Sequence, residues 1–305
     1  MEIRHIPHKE IDKQKWQACI DKAMHPSIYA LPLYLDAIAG EWDALVEGDY
    51  ETVMPLIHRK KYSIKYLYQP PFLPYSGIYS AQKINKKTTD AFLTKAFNLF
   101  SFAEINIPYP LQFSLLKNMT TAERNNFIVN LSPSYEELQK NYNLHFSKSL
   151  RRLQKLSLQY SASDDIKEMT NLFRELYLFN IKSMKETDIQ RFEKACKTLK
   201  AAGNLIIRRA FSVEGKLLCG LMLLQYKNRL YNILSCNTDA GKKAEANYFL
   251  YDKVMEEFSG KGMLLDLEGS DIKGIEDFYR KMNPENEIYH FIKYNALPRA
   301  IKWLK

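Results

Sequence analysis

Two carboxylates stand two residues apart in Leu265-Asp-Leu-Glu268. On a strand, alternate side chains share a face. Asp266 and Glu268 would then point together toward a cleft or solvent, with Leu265 and Leu267 toward the core. Such a pair would hold a substrate amine or take its proton. It would serve equally as a polar sheet face, or as a cap for the helix that follows Gly269. Ser270 and Asp271 read as N-caps of that helix, over 272–282. A second chemical locus is the turn Asn237-Thr-Asp-Ala-Gly-Lys-Lys-Ala-Glu245. Asp239, Ala240, Gly241, Lys242 and Lys243 precede a helix over 244–258. Amides and lysines at a helix start suit an anion, because the helix dipole is positive there; plain loop charge is the other reading. A third is the run from Lys140 to Lys155, with five Lys or Arg residues and no acid. Lys148, Arg151, Arg152 and Lys155 fall on one helical face. They suit the phosphates of tRNA, a carrier or lipid headgroups, or form a solvated face. Finally, Tyr68, Phe72, Tyr75 and Tyr79 stand among Pro and Gly. They would line a substrate groove between domains, or pack as a rigid loop.

The absences narrow the chemistry. The six histidines follow no HExxH spacing and the four cysteines form no CxxC pair, so neither a metal site nor a disulfide framework is expected. No G-x-S-x-G elbow, Walker loop or dinucleotide fingerprint occurs, which weighs against hydrolase, kinase and dehydrogenase readings. The 44 Lys and Arg against 35 Asp and Glu give a net charge of +9. That excess favours an anionic partner or is simply a basic surface. The start, Met1-Glu-Ile-Arg-His, is charged and has no signal-peptide core, and no apolar run reaches bilayer-spanning length. The expectation is a cytoplasmic protein with no transmembrane segment.

A length of 305 residues exceeds what one core usually serves, so two domains are expected. The first half reads strand, two helices, strands, helix and strand. The junction falls near the capping box Ser134-Tyr-Glu-Glu137, where Ser and Glu would satisfy each other's orphan amides. The divisions expected are 1–135 and 136–305, with a basic linking helix about 134–155. In the second half, apolar residues from Ile166 to Met184 form an amphipathic stripe. Thr187-Asp-Ile-Gln190 reads as another capping box. Strands follow over 205–211, 216–225 and 229–236, joined at Glu214-Gly215 and Lys227-Asn228. Helix, strand 263–268, helix and strand 288–294 complete the order.

That order, together with Gly274-Ile-Glu-Asp-Phe-Tyr-Arg-Lys-Met282 before a strand, resembles the GNAT acyltransferase core and its late Phe-Tyr helix. Leu265-Asp-Leu-Glu-Gly-Ser270, the Val129–Leu138 junction with its basic helix, and the Pro-Pro-Phe loop are similar to the tandem-GNAT FemABX-like transferases. The resemblance implies an α+β fold of two tandem GNAT-like domains, with mixed, mostly antiparallel sheets flanked by helices. It implies transfer of an acyl or aminoacyl group to an amine acceptor held between the domains. The donor would be acyl-CoA or aminoacyl-tRNA as cosubstrate, with no tightly bound cofactor and with tRNA as a possible partner. Tyr279 matches the tyrosine that protonates the leaving group, and the 239–244 turn matches the slot that holds a donor phosphate. The chain departs from the family there: acyl-CoA members usually carry a Q/R-x-x-G-x-G/A turn, and here Gly241 stands without the second close-approach glycine. Strand 229–236 also lacks the carboxylate base found in many of them. A non-catalytic binding or scaffold protein on a decayed GNAT frame is the alternative.

Overall fold

The computed structural model describes residues 2–62, 64–108, 111–181, 183–269 and 272–299. The chain divides into two compact units, Met1–Arg124 with Ile288–Lys305, and Asn125–Glu287.

In the first unit the elements are β1 (Ile3–Ile6), α1 (Lys13–Lys22), α2 (Pro32–Ile38), β2 (Asp43–Glu47), β3 (Thr52–Leu56), β4 (His58–Lys61), β5 (Ile64–Leu67), β6 (Tyr79–Ser80), α3 (Lys86–Leu99), β7 (Phe102–Ile107) and β8 (Met119–Arg124). Helix α1 starts where the Asp12 side chain accepts from the amides of Gln14 and Lys15, which satisfies donors the helix cannot. It buries Trp16, whose Nε1 donates to the Ala30 carbonyl at 2.8 Å and whose ring meets Trp42 edge-on. The sheets run β1-β2-β3-β6 and β4-β5-β7-β16-β8, where β16 is Tyr289–Asn295. Strand β16 lies antiparallel between β7 and β8, and its Ile292 is fully buried. The 68–79 loop is packed within this unit. Tyr34 donates to the Phe72 carbonyl, Asn106 donates to the Pro74 carbonyl at 2.6 Å, and Tyr29 and Tyr75 meet edge-on.

A carboxylate ties the start of this unit together. His5 Nε2 lies 2.9 Å and His58 Nε2 3.2 Å from Asp43 Oδ2, while the His8 amide donates to Oδ1. Burial pushes the Asp43 carboxyl up, but the imidazoles of His58 and His5 beside it outweigh burial and hold the group well below the ordinary carboxylate range. A carboxyl depressed in the folded state contributes stability above its unfolded pKa, near 3.9, and loses that contribution as pH falls through its folded value. The urea midpoint of the wild type should therefore exceed that of Asp43→Asn near neutrality, and the gap should close as pH falls below about 4. A gap that stays constant from pH 7 to pH 3 would refute the assignment.

The second unit comprises β9 (Phe127–Asn130), α4 (Tyr135–Lys140), α5 (Leu144–Leu153), β10 (Gln159–Ser163), α6 (Ile166–Tyr177), α7 (Glu186–Ala201), β11 (Leu205–Phe211), β12 (Leu217–Tyr226), β13 (Arg229–Asn237), α8 (Asp239–Lys243), α9 (Ala246–Phe258), β14 (Leu264–Asp266), α10 (Lys273–Tyr279) and β15 (Glu285–Asn286). Its seven-stranded sheet runs β10-β11-β12-β13-β14-β9-β15, antiparallel except between β13 and β14. The Ser134–Glu137 capping box forms as expected. The box at Thr187–Gln190 does not: α7 starts two residues earlier, with the Asp188 carboxylate accepting from the Lys185 amide. The core gathers Phe127, Leu223, Leu230 and Leu265 from four strands with Tyr251 and Val254 from α9. Each such side chain contributes roughly 1.5–3 kcal/mol by leaving water. No described helix is long and apolar enough to cross a membrane.

Candidate active site

The second unit's sheet opens at its centre. β13 and β14 pair in parallel through only three positions, ending at Tyr231 and Asp266, while β13 runs on to Asn237. Just beyond that last pair, β13 bulges. Its partner on β12 steps from Leu234 directly to Asn232, leaving Ile233 unpaired. A bulge bends its strand and re-aims the side chains beside it, here at the point where two strands part.

Three polar side chains meet at this point. The Asn232 amide nitrogen donates to the Tyr251 hydroxyl at 2.8 Å and to the Tyr279 hydroxyl at 3.2 Å. All three are buried, Asn232 at 5 %, Tyr251 at 1 % and Tyr279 at 7 % exposed. Tyr279 comes from the end of α10 and Tyr251 from the middle of α9. Their rings are fixed by Phe278 and Phe127. The other end of the Asn232 amide, its Oδ1, has no hydrogen-bond partner among the described residues. A buried amide end left bare is costly, so it is a natural receptor for a ligand group.

Burial pushes the Tyr279 phenol well above its ordinary pKa, aided by Tyr251 and by the nearby negative charge of Glu268. Burial also raises Tyr251, to about 12. Both phenols therefore keep their protons throughout the physiological range.

The two carboxylates separate. Strand β14 ends at Asp266, and Glu268 takes the left-handed conformation with φ +62°. The shared outward face expected for the pair does not form. Asp266 is fully buried, on a short strand hydrogen-bonded on both edges, to β13 and β9. Its Oδ2 accepts from Arg229 at 2.8 Å and its Oδ1 from the Glu268 amide at 2.9 Å. Arg229 also pairs with Glu287 at 2.8 Å. Burial pushes the Asp266 carboxyl above the ordinary range, against the pull of the Arg229 guanidinium. Glu268 is half-buried and, of the two, is the one whose charge reaches Tyr279. Ser270 and Asp271 lie outside the described residues.

The 239–244 turn is a separate short helix, α8, and the long helix α9 begins only at Ala246. Gly241 is packed so tightly that a Cβ would stand 2.2 Å from the Leu218 carbonyl oxygen and 2.3 Å from Asn237 Oδ1. The glycine serves close helix–strand approach, and its amide donates to Thr238 Oγ1. The amides of Thr238 and Lys242 are engaged as well, with the carbonyls of Leu218 and Thr238. Lys242 pairs with Asp239 at 3.1 Å. Ala240 is half-buried, and Asp239 and Lys243 are exposed. This turn begins seven residues beyond Asn232, after β13 has run on to Asn237, roughly 20 Å or more of extended chain.

Lys148, Arg151 and Arg152 are exposed on α5, with Lys155 exposed in the 3₁₀ turn that follows. Arg152 pairs with Glu245, two residues past Lys243. The structure thus joins the basic helix to the α8 turn. Lys148, Arg151 and Lys155 have no ion-pair partner among the described residues. Sequence reading missed Asn232 and Tyr251. The signal for Asn232 was a lone amide in the apolar run Leu230-Tyr-Asn-Ile-Leu234; Tyr251 gave none. The four cysteines are free and buried, and among the described residues no cluster of His, Cys, Asp and Glu is arranged to hold a metal.

No protein-family model matches the sequence, and no curated protein matches it. Solved structures do. FemX superposes with a TM-score of 0.66 at 12% identity, over 100% of this chain and 99% of its own. The C-terminal domain of a putative lysylphosphatidylglycerol synthetase from Agrobacterium fabrum gives 0.57 at 11% identity, over 96% and 94%. A tandem GNAT protein from the clavulanic acid biosynthesis pathway gives 0.51 at 10% identity, over 97% and 99%. The fold is GNAT-like: α+β, with mixed, mostly antiparallel sheets flanked by helices.

Proposed function

We propose that the chain is a transferase that moves an acyl or aminoacyl group onto an amine acceptor, using the gap between β13 and β14 as its reaction centre. The carrying observation is the buried Asn232–Tyr251–Tyr279 cluster at the bulge, which keeps a phenol protonated where the strands part. The amine nitrogen attacks the donor carbonyl carbon, and the ester or thioester bond breaks. Glu268 takes the proton that the amine loses, the leaving oxygen or sulfur gains one from Tyr279, and Tyr279 regains a proton from solvent as Glu268 releases its own. Glu268 is the carboxylate that answers the amine. Asp266 is the structural partner of Arg229, since both its oxygens are engaged and none of it is exposed.

Of the two donors, aminoacyl-tRNA is better supported. Three amides of the α8 turn are already engaged, and Gly241 leaves no room beneath it for a pyrophosphate cradle. The exposed cations of α5 beside that turn suit a polyanion. Lys242, Lys243 and the 239–241 backbone would then steer phosphates at the surface. A stability titration of the purified protein with aminoacyl-tRNA and with acetyl-CoA at two salt concentrations tests this, because a ligand that binds only the native state raises the melting temperature. The tRNA response should fall steeply with salt, with a log–log slope of about −3 for four phosphate contacts. Lys148→Gln/Arg151→Gln should flatten that slope by about one per lysine or arginine removed. A saturable shift with acetyl-CoA alone would reverse the donor assignment, and silence from both would favour a binding or scaffold protein.

A further inference from the structure

The buried cluster at the bulge has one polar end to spare. Asn232 is the first residue of β13 past its last pair with β14, Tyr231 with Asp266. Because Ile233 is the extra residue of the bulge, Asn232 and Ser235 fall on one face of β13, paired with Leu223 and Leu221 of β12. The Tyr251 hydroxyl meets the side chains of Asn232, Tyr279 and Ser235. The Tyr279 hydroxyl meets those of Asn232 and Tyr251. Asn232 Oδ1 has no partner among the described residues, on a residue only 5 % exposed. An amide oxygen only accepts, so what it lacks is an N–H or O–H donor, and leaving it bare is costly.

The chemistry of the transferred group decides where such a donor comes from. A plain acyl chain carries no N–H next to its carbonyl, whereas an aminoacyl group carries one on the adjacent carbon. The distances allow the contact. Asn232 Nδ2 lies 3.2 Å from the Tyr279 hydroxyl. The two ends of a primary amide are roughly 2.3 Å apart, so Oδ1 lies within roughly 5.5 Å of that hydroxyl. In an aminoacyl ester the α-nitrogen stands three bonds from the leaving oxygen, roughly 3 Å away. With the leaving oxygen at Tyr279, the α-nitrogen can come within hydrogen-bond reach of Oδ1. The attacking amine is a different case. It must lose a proton, which Glu268 takes and a neutral amide oxygen cannot.

We propose that Asn232 is the specificity-determining residue of the transfer site: its Oδ1 accepts an N–H of the donor's α-amino group and so selects an aminoacyl over a plain acyl group. This rests on the transferase reading and on a tRNA-borne donor. Fluorescence titration of the full-length protein with tRNA bearing glycine or acetate in a stable amide link at its 3′ end tests it, with uncharged tRNA as the reference. Glycyl and acetyl differ only in the amino group. The wild type should bind the glycyl form about ten- to a hundredfold more tightly than the acetyl form, the range for leaving a buried acceptor unsatisfied. Asn232→Leu and Asn232→Ala, which remove the oxygen, should bring that ratio close to one. Asn232→Asp, which keeps an acceptor there, should retain the preference. The ratio within one variant does not depend on its folded fraction, so a loss of stability cannot imitate the effect. Two outcomes would overturn the role of Asn232 and leave the tRNA donor standing: both forms bind the wild type equally and more tightly than uncharged tRNA, or the preference survives in Asn232→Leu and Asn232→Ala. If neither form binds more tightly than uncharged tRNA, the transferase reading itself is contradicted and the proposal falls with it.

Discussion

Tyr279→Phe should lower turnover by about 10²–10⁴-fold, the range for removing a positioned general acid, while leaving the fold in place. The variant removes one oxygen from a packed ring. Phe127, Tyr251 and Phe278 still surround that ring, and Asn232 still has its 2.8 Å bond to Tyr251. The expected stability loss is about 1 kcal/mol, that of a single hydrogen bond. The kinetic loss should fall on kcat with KM little changed, because the phenol serves the departing group rather than the bound ground state. The wild-type rate should also show no descending limb from Tyr279 within the physiological pH range, since burial and the neighbouring charge of Glu268 keep the phenol protonated there. Full kcat in a folded Tyr279→Phe variant would remove Tyr279 from the acid role and leave the cluster as a packing device.

Local signals in the sequence carried through wherever the deciding interactions were local. Ser134 and Glu137 satisfy each other's amides within three residues, and the apolar stripe from Ile166 forms α6, which ends at Tyr177, short of the Met184 that the stripe reached. The three antiparallel strands β11, β12 and β13 follow from their turns. Gly215 sits in the left-handed region, at φ +76°, as a tight turn requires. Competing local signals were harder: Lys185–Asp188 and Thr187–Gln190 offer overlapping starts for one helix, and the former prevails. Non-local pairing was not legible at all. Strand β16 lies in the first unit's sheet, between β7 and β8, and nothing in its own residues says so. The site divides along the same line. Tyr279 was legible through its neighbours in the chain. Asn232 gains its meaning only from a bulge and two helices that converge on it. Gly241 looked like a phosphate-turn glycine, but its tolerance for close approach is spent on the Leu218 carbonyl.

Asp266 is where linear reading and three-dimensional setting diverge most, and the consequence is a large effect on stability. Period-two alternation put Asp266 on a face toward a cleft or solvent, but the side chain is fully buried against Arg229. Its counter-ion, Arg229, stands 37 residues earlier in the chain. Arg229→Met should therefore cost about 3–5 kcal/mol, the usual result of stranding a buried charge by removing its partner. Most of that cost is desolvation that Asp266 can no longer offset. Arg229→Met/Asp266→Leu should accordingly recover much of the loss, since replacing both members of a buried pair by apolar residues is often close to neutral. Glu287, the third member, is one-third exposed and remains solvated. Urea unfolding of the two variants and the wild type measures this directly. The pattern also separates the structural reading from the catalytic one. A base at Asp266 would make Asp266→Asn inactive at nearly unchanged stability. A seam between β13 and β14 would make it unstable while the folded fraction keeps its turnover. If Arg229→Met unfolds within 1 kcal/mol of the wild type, a tolerance set against the 3–5 kcal/mol expected, the pair does not hold the seam, and Asp266 returns to the list of groups that could serve the reaction.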